Sequence, residues 1–345
     1  MRKLFLLLAP TVLLAVPALA SAHEVYVLDP ATIARDVAAQ SPNPFSAFYT
    51  NKFQFFFWGF IVFVGFSTIF FMSIFHAFEV RSTPLLNRLK RFANPIERVT
   101  LGLSLLAFAY NSALFGPELP LSGIYGTFTP LVQLALSIAG ICITFGLFTR
   151  PAALAVALLA LVSIPVHGFY MLTYTAYFFV AAVIFIMGGG AYSLDRVFRR
   201  GKNTNIVERI RMRFEPYEML VLRLAFGFSV IVAAVYAKFL HSDLTLDVIE
   251  RYHLTNYFHF EPLFVVLGAL IIETLIGILI MLGLEIRWTS IFFLFWLSLS
   301  LLYFRESAWP HLALFGLNFM LFCHGYDRWS LEGRFFKKRL LEPVL

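Results

Sequence analysis

Lys238, Glu273 and His311 are the side chains of this sequence whose types and places could do chemistry. Each lies in or beside a long apolar stretch, where an ionisable group costs about 2.5–3.5 kcal/mol at a helix centre on insertion scales. Glu273 lies about halfway along an apolar run at 262–283, flanked at i−4 and i+4 by Ala269 and Gly277. Small residues on one helical stripe let a neighbouring helix approach, so that stripe points into a bundle. His311 opens a run at 309–324, with Phe315, Asn318 and Phe322 on its stripe; Lys238 ends a stripe of Arg223, Gly227, Ile231 and Ala234. A lysine, a carboxyl and an imidazole together can hold and exchange protons. Each also has a structural reading. Lys238 can snorkel to the interface, Glu273 can be a neutral carboxyl or the buried partner of Lys238, and His311 can be a satisfied interfacial histidine.

A second candidate is a metal site. His23, His253 and His259 join Asp243, Asp247, Glu250 and Glu261 in segments that fall on one side of the predicted bundle. Imidazole and carboxylate are competent ligands for zinc or copper, and an N-terminal His23 would add an amine beside its imidazole. No short His-x-x-x-His spacing binds them together, so a polar loop rim is the alternative. The two cysteines, Cys142 and Cys323, sit within or near apolar runs. They make neither a C-x-x-C-H haem attachment nor an iron–sulfur set.

The elements that must carry these residues are membrane spans. Of 345 residues, 60% are hydrophobic and 14% charged, with 41 Phe and a mean hydropathy of +0.79. That is far from the composition of a soluble domain and excludes a soluble enzyme, a nucleic-acid binder and a secreted disulfide scaffold. Residues 1–22 read as a secretory signal peptide: Arg2 and Lys3, an apolar run, then Ala20-Ser21-Ala22. An exported segment follows at 23–52. Nine spans are predicted at 53–78, 99–115, 128–147, 151–168, 172–189, 217–240, 262–283, 288–304 and 309–324. The alternating loops then hold nineteen Lys and Arg on one side and five on the other. The positive-inside rule places the N-terminus outside, the C-terminus in the cytoplasm and the chain in the cytoplasmic (inner) membrane. The predicted fold class is all-α, a polytopic membrane protein.

The sequence also repeats itself. Arg98, Gly102 and Ser104 match Arg223, Gly227 and Ser229 at an offset of 125. Gly140, Gly146 and Arg150 match Gly277, Gly283 and Arg287 at 137, as do Ser193, Leu194 and Asp195 with Ser330, Leu331 and Glu332. Two parallel four-helix repeats, 97–200 and 217–337, follow one extra helix at 53–78. The offsets differ by an insertion in the loop 241–261. The ionisable set belongs to the second repeat alone: Lys238, Glu273, Arg305 and His311 correspond to Ala113, Leu136, Gly168 and Tyr174.

The pattern Leu222-Arg223-Leu224, Lys238-Phe239, Glu273, Gly283 to Arg287, Trp309-Pro310-His311, Gly325 and Ser330-Leu331 resembles the DoxX/DoxD family. The first repeat resembles it through Arg98, Gly146 to Arg150, Gly188 and Ser193 to Asp195. The resemblance covers about two thirds of the chain, in tandem. It implies a four-helix membrane module, in some members associated with terminal quinol oxidase or thiosulfate:quinone oxidoreductase complexes. This chain departs from it by its two modules, its extra helix, its exported segment and its long histidine-containing loop. Two functions stay open. One is a membrane redox component that meets quinone in the second repeat, where Glu273 or His311 exchanges protons, Lys238 sets their charge and a redox partner protein supplies electrons. The other is a non-catalytic membrane subunit, or a carrier of a small solute or metal, that organises a partner.

Overall fold

The computed structural model describes residues 24–198, 206–257, 260–305 and 307–335. The predicted signal peptide, His23 and His259 lie outside the described residues. Among those described, the chain is helical, with one isolated bridge between Ala113 and Pro120 and no strand. Its principal helices are α1 (Pro30–Ala38), α2 (Phe55–Asn111), α3 (Thr129–Phe145), α4 (Thr149–His167), α5 (Thr175–Met187), α6 (Glu218–Val235), α7 (Ser242–Arg251), α8 (Pro262–Leu282), α9 (Ile286–Tyr303) and α10 (Leu312–His324).

Six stretches of helix among the described residues are long and apolar enough to cross a bilayer: Phe57–Glu79, Leu121–Phe145, Thr149–Met187, Glu208–Leu240, Pro262–Leu282 and Ile286–Tyr303. The count differs from nine for local reasons. Predicted spans 151–168 and 172–189 are joined through a 3-10 turn, Gly168–Tyr174. Spans 53–78 and 99–115 are joined by helix across the polar residues between them, giving α2 its 57 residues. The last predicted span is a 13-residue helix behind the 3-10 turn Trp309–His311, short of the roughly 20 residues that cover a bilayer.

The contacts of α2 reverse direction along it. Phe57 meets Phe264 at the start of α8, and Phe75 meets Trp288 at the start of α9. Asn94 then bonds Glu218 at the start of α6 (3.0 Å), and Phe108 meets Trp309. Pro84 and Pro95 lie where this helix must turn, since a proline removes a backbone donor and crowds the preceding turn.

Around it, α2 packs on α3 and α10, α6 on α8 and α5, α4 on α3 and α5, and α9 on α10. One apolar core runs through them, with Leu101, Leu105, Phe108, Leu136, Phe226 and Leu317 fully or almost fully buried. A Cβ added to Gly102 would stand 2.9 Å from the Gly140 carbonyl oxygen, and one added to Gly277 would stand 2.7 Å from that of Gly227. These glycines set two close helix crossings.

Both crossings end in the same kind of latch. Arg98 donates to the carbonyls of Gly189 (2.9 Å) and Tyr192 (2.8 Å), while Arg223 donates to that of Trp329 (3.3 Å). Arg150 and Arg287 donate to Phe185 and Phe322 (3.2 and 3.1 Å), carbonyls that a helix C-terminus leaves without an intrahelical partner. Asp195 accepts from the Phe148 amide (2.8 Å), and Glu332 from the Glu285 amide (2.6 Å). Positive φ angles recur in step, at Gly146 and Gly283, Phe148 and Glu285, Gly168 and Arg305, and Gly188 and Gly325.

Candidate functional site

Lys238 and Glu273 form an ion pair of 2.9 Å, with side chains only 4% and 12% exposed. Lys238 lies in a local irregularity at the end of its helix. Helix α6 ends in a π-helical turn, Tyr236–Leu240, whose extra residue shifts the register of the side chains it carries. The lysine is buried within the bundle, and the snorkelling alternative does not hold. Glu273 comes from the middle of α8, as the Ala269/Gly277 stripe implies. His311 is buried on the 3-10 turn that leads into α10.

All three line one cavity of about 590 Å³. Its other walls are mostly aromatic and aliphatic: Tyr170, Tyr174 and Tyr177 from the stretch of 3-10 turn and α5, Trp296 and Phe293 from α9, and Phe264 from α8. A cavity of a few hundred cubic ångströms, apolar with a few convergent polar groups, is the usual form of a small-molecule site. Tyr174, the position that corresponds to His311, lines it as well. Ala113 and Leu136, which correspond to Lys238 and Glu273, are buried and do not line it.

The metal set behaves differently. His253 is exposed at a turn with φ of 50° and does not line the cavity. His23 and His259 lie outside the described residues, and among the described residues no three His, Cys, Asp or Glu side chains gather as a metal-holding group.

The structure adds two features that reading the sequence had missed. The first is the placing of the segment before α2, which lies against the cavity. Tyr26 and Val27 line it, and the Tyr26 ring meets His311 edge-on at 5.7 Å between centroids. Val27 and Leu28 pack on Leu244 and Val248 of α7. Ser41 donates to Asp243 (3.0 Å), Ser242 to the Pro42 carbonyl (2.6 Å) and Asn51 to Glu261 (3.1 Å), while Arg35 pairs with Asp247.

The second is a phenol–carboxylate cluster. Glu118, in the loop after α2, accepts from Tyr170 (3.0 Å) and Tyr174 on one oxygen, and Tyr174 shares a 2.8 Å hydrogen bond with Tyr26. A Cβ on Gly116 would stand 2.8 Å from that Glu118 oxygen and 2.6 Å from the Tyr26 ring. Burial, with the Glu118 carboxylate nearby, pushes the Tyr26 phenol well above its ordinary range, so it keeps its proton at physiological pH. Nothing in the periodicity singles out Glu118. The one available signal was Tyr174, visible as the uncharged counterpart of His311.

Comparison with protein-family models, curated proteins and solved structures found no match to this chain.

Proposed function

We propose that this chain is a DoxX/DoxD-type protein of the cytoplasmic membrane and that its cavity receives a quinone-type head group as part of a membrane redox complex. The observation that carries the reading is the buried Lys238–Glu273 pair set, with His311, in the wall of a largely aromatic cavity. A planar ring can stack on such walls. Lys238 can donate to a carbonyl oxygen, while Glu273 and His311 can pass the protons that accompany reduction. Electrons come from a partner protein in this reading.

The same proposal holds that the bundle consists of two four-helix repeats after one extra helix, nine spans in all. The recurrence of arginine latches, acidic caps and positive φ angles at one spacing supports it. The N-terminus is outside and the C-terminus cytoplasmic. Cysteines placed at the exposed positions Val197 and Glu250, after removal of Cys142 and Cys323, should label from opposite sides with an impermeant reagent. Labelling from the same side overturns the topology.

A second reading, a non-catalytic subunit or solute carrier that organises a partner, draws on the span Phe57–Glu79. Almost none of its surface is buried within this chain, which leaves an aromatic face for another membrane helix.

The experiment that separates them uses Gly268, which lines the cavity and where an added Cβ would meet nothing within 4 Å. The protein is purified with its lipids and extracted for quinone. Quinone or its hydroquinone is expected with the wild type and should be lost from Gly268→Phe, whose ring would occupy cavity space. A wild type that carries a stable partner and no quinone rejects the redox reading in favour of the second.

A further inference from the structure

The Glu118 cluster fixes where three phenol protons point. With Glu118 ionised, its oxygens accept hydrogen bonds and cannot donate them. Tyr170 and Tyr174 both direct their hydroxyls at the same Glu118 oxygen, so each commits its single proton there. The Tyr174 oxygen then has only lone pairs to offer. The 2.8 Å bond between Tyr174 and Tyr26 must therefore be donated by Tyr26. Tyr26, Tyr170 and Tyr174 line the cavity, while Glu118 stands behind them and does not.

The wall they form is thus polarised. Two of its phenol protons are directed at Glu118 and the third at Tyr174, so these three protons are committed within the wall. The arrangement is built from three distant segments: the chain before α1, the loop after α2, and the turn before α5. Gly116 leaves the space in which Glu118 and the Tyr26 ring meet.

We propose that Glu118, acting through Tyr170, Tyr174 and Tyr26, makes this wall a hydrogen-bond acceptor and so selects lipophilic ligands whose polar end carries a hydroxyl donor over those with acceptor oxygens alone. Glu118 is a positioning residue here, since it touches the tyrosines and not the ligand. The inference rests on the reading of the cavity as a ligand site, although not on the redox part of that reading.

The test uses two redox-inert probes with the same apolar body, 4-pentylphenol and 4-pentylanisole, which differ in the hydroxyl donor. Binding to the purified full-length protein is measured by calorimetry and by the fluorescence of Trp296, which lines the cavity. The wild type should favour the phenol about tenfold, the order of one neutral hydrogen bond. Tyr174→Phe removes the acceptor that holds the Tyr26 proton and frees that hydroxyl to donate. Glu118→Leu does the same for Tyr170 and Tyr174. Both variants should bring the preference close to one, whereas Glu118→Gln, which keeps an acceptor oxygen, should retain it.

A cluster that only holds the fold together would weaken both probes equally and leave their ratio unchanged, which overturns the inference. A wild type with no preference for the phenol overturns it too. Gly268→Phe keeps this outcome apart from a failure of the cavity reading. If the wild type shows no preference but Gly268→Phe abolishes binding of both probes, the cavity stands and only the acceptor wall falls. If Gly268→Phe leaves both probes bound as before, the cavity reading falls and takes this inference with it.

Discussion

Lys238→Met should destabilise the protein by about 3–5 kcal/mol, the range for breaking a buried ion pair from one side. The reason is the 2.9 Å pairing with Glu273 at 4% and 12% exposure. Most of the Coulomb energy of a surface pair is lost to solvent, but here little water reaches either group, and Glu273 would be left as an uncompensated carboxylate. A second change should reverse much of the loss. Lys238→Met with Glu273→Leu replaces the pair by apolar groups, and the chain already contains that arrangement in kind, since Leu136 is fully buried at the corresponding position. Thermal unfolding in mild detergent, run as a double-mutant cycle, measures both terms. Additive losses from the two single changes would mean that the pair is not coupled.

Glu273→Gln then separates structure from chemistry. It keeps the shape and a hydrogen-bonding oxygen but cannot exchange a proton. In the proton-exchange reading, activity per folded molecule disappears; stability also falls, because Gln takes away the carboxylate that faces the buried Lys238. Full activity in this variant would sink the catalytic role of Glu273, whatever its stability.

The second large effect is expected at Gly283, in the turn between α8 and α9. Its φ of 69° is one that side chains adopt at a cost, and an added Cβ would run into the Arg223 guanidinium and stand 2.5 Å from the Ser330 Cβ. Gly283→Ala therefore combines backbone strain of about 1–3 kcal/mol with displacement of Arg223. That buried side chain is held by the Trp329 carbonyl at 3.3 Å and lies 3.6 Å from Asp327. A hydrogen bond from a charged group contributes about 1.5–3 kcal/mol, so a total loss of about 3–5 kcal/mol is expected. Two controls resolve the sum. Gly190 has a φ of 71° but open space around its Cβ position, so Gly190→Ala should show the strain alone. Gly268 has open space and no positive φ, so Gly268→Ala should be nearly neutral. If Gly283→Ala is no worse than Gly190→Ala, the Arg223 latch contributes nothing.

Much of the frame was legible because it depends on nearest-neighbour chemistry. Apolar runs identify membrane helices from composition alone. Of the matched residues, Gly146, Gly283, Arg150, Arg287, Asp195 and Glu332 sit at or beside helix ends, where orphan carbonyls and amides need partners. Glu273 was legible for a related reason: a carboxyl in the middle of an apolar run is costly, and the small residues on either side show which way it faces.

The boundaries were less legible. Helix α2 continues through a polar stretch with two prolines, because its hydrogen bonding runs on where hydropathy falls. The last predicted span became a 3-10 turn and a short helix, a difference that apolar composition does not encode.

The site itself needed the tertiary structure. Composition marked Lys238, Glu273 and His311 as unusual, but only the packing of α6 on α8 brings Lys238 to Glu273. Only the packing of α5 against α6 brings the tyrosines into the same cavity as the ionisable set. Tyr26, Glu118 and Tyr174 are separated by 92 and 56 residues and share no periodicity. A hydrogen-bonded cluster depends on where three backbones pass in space, and sequence spacing carries that information only within a single helix or turn.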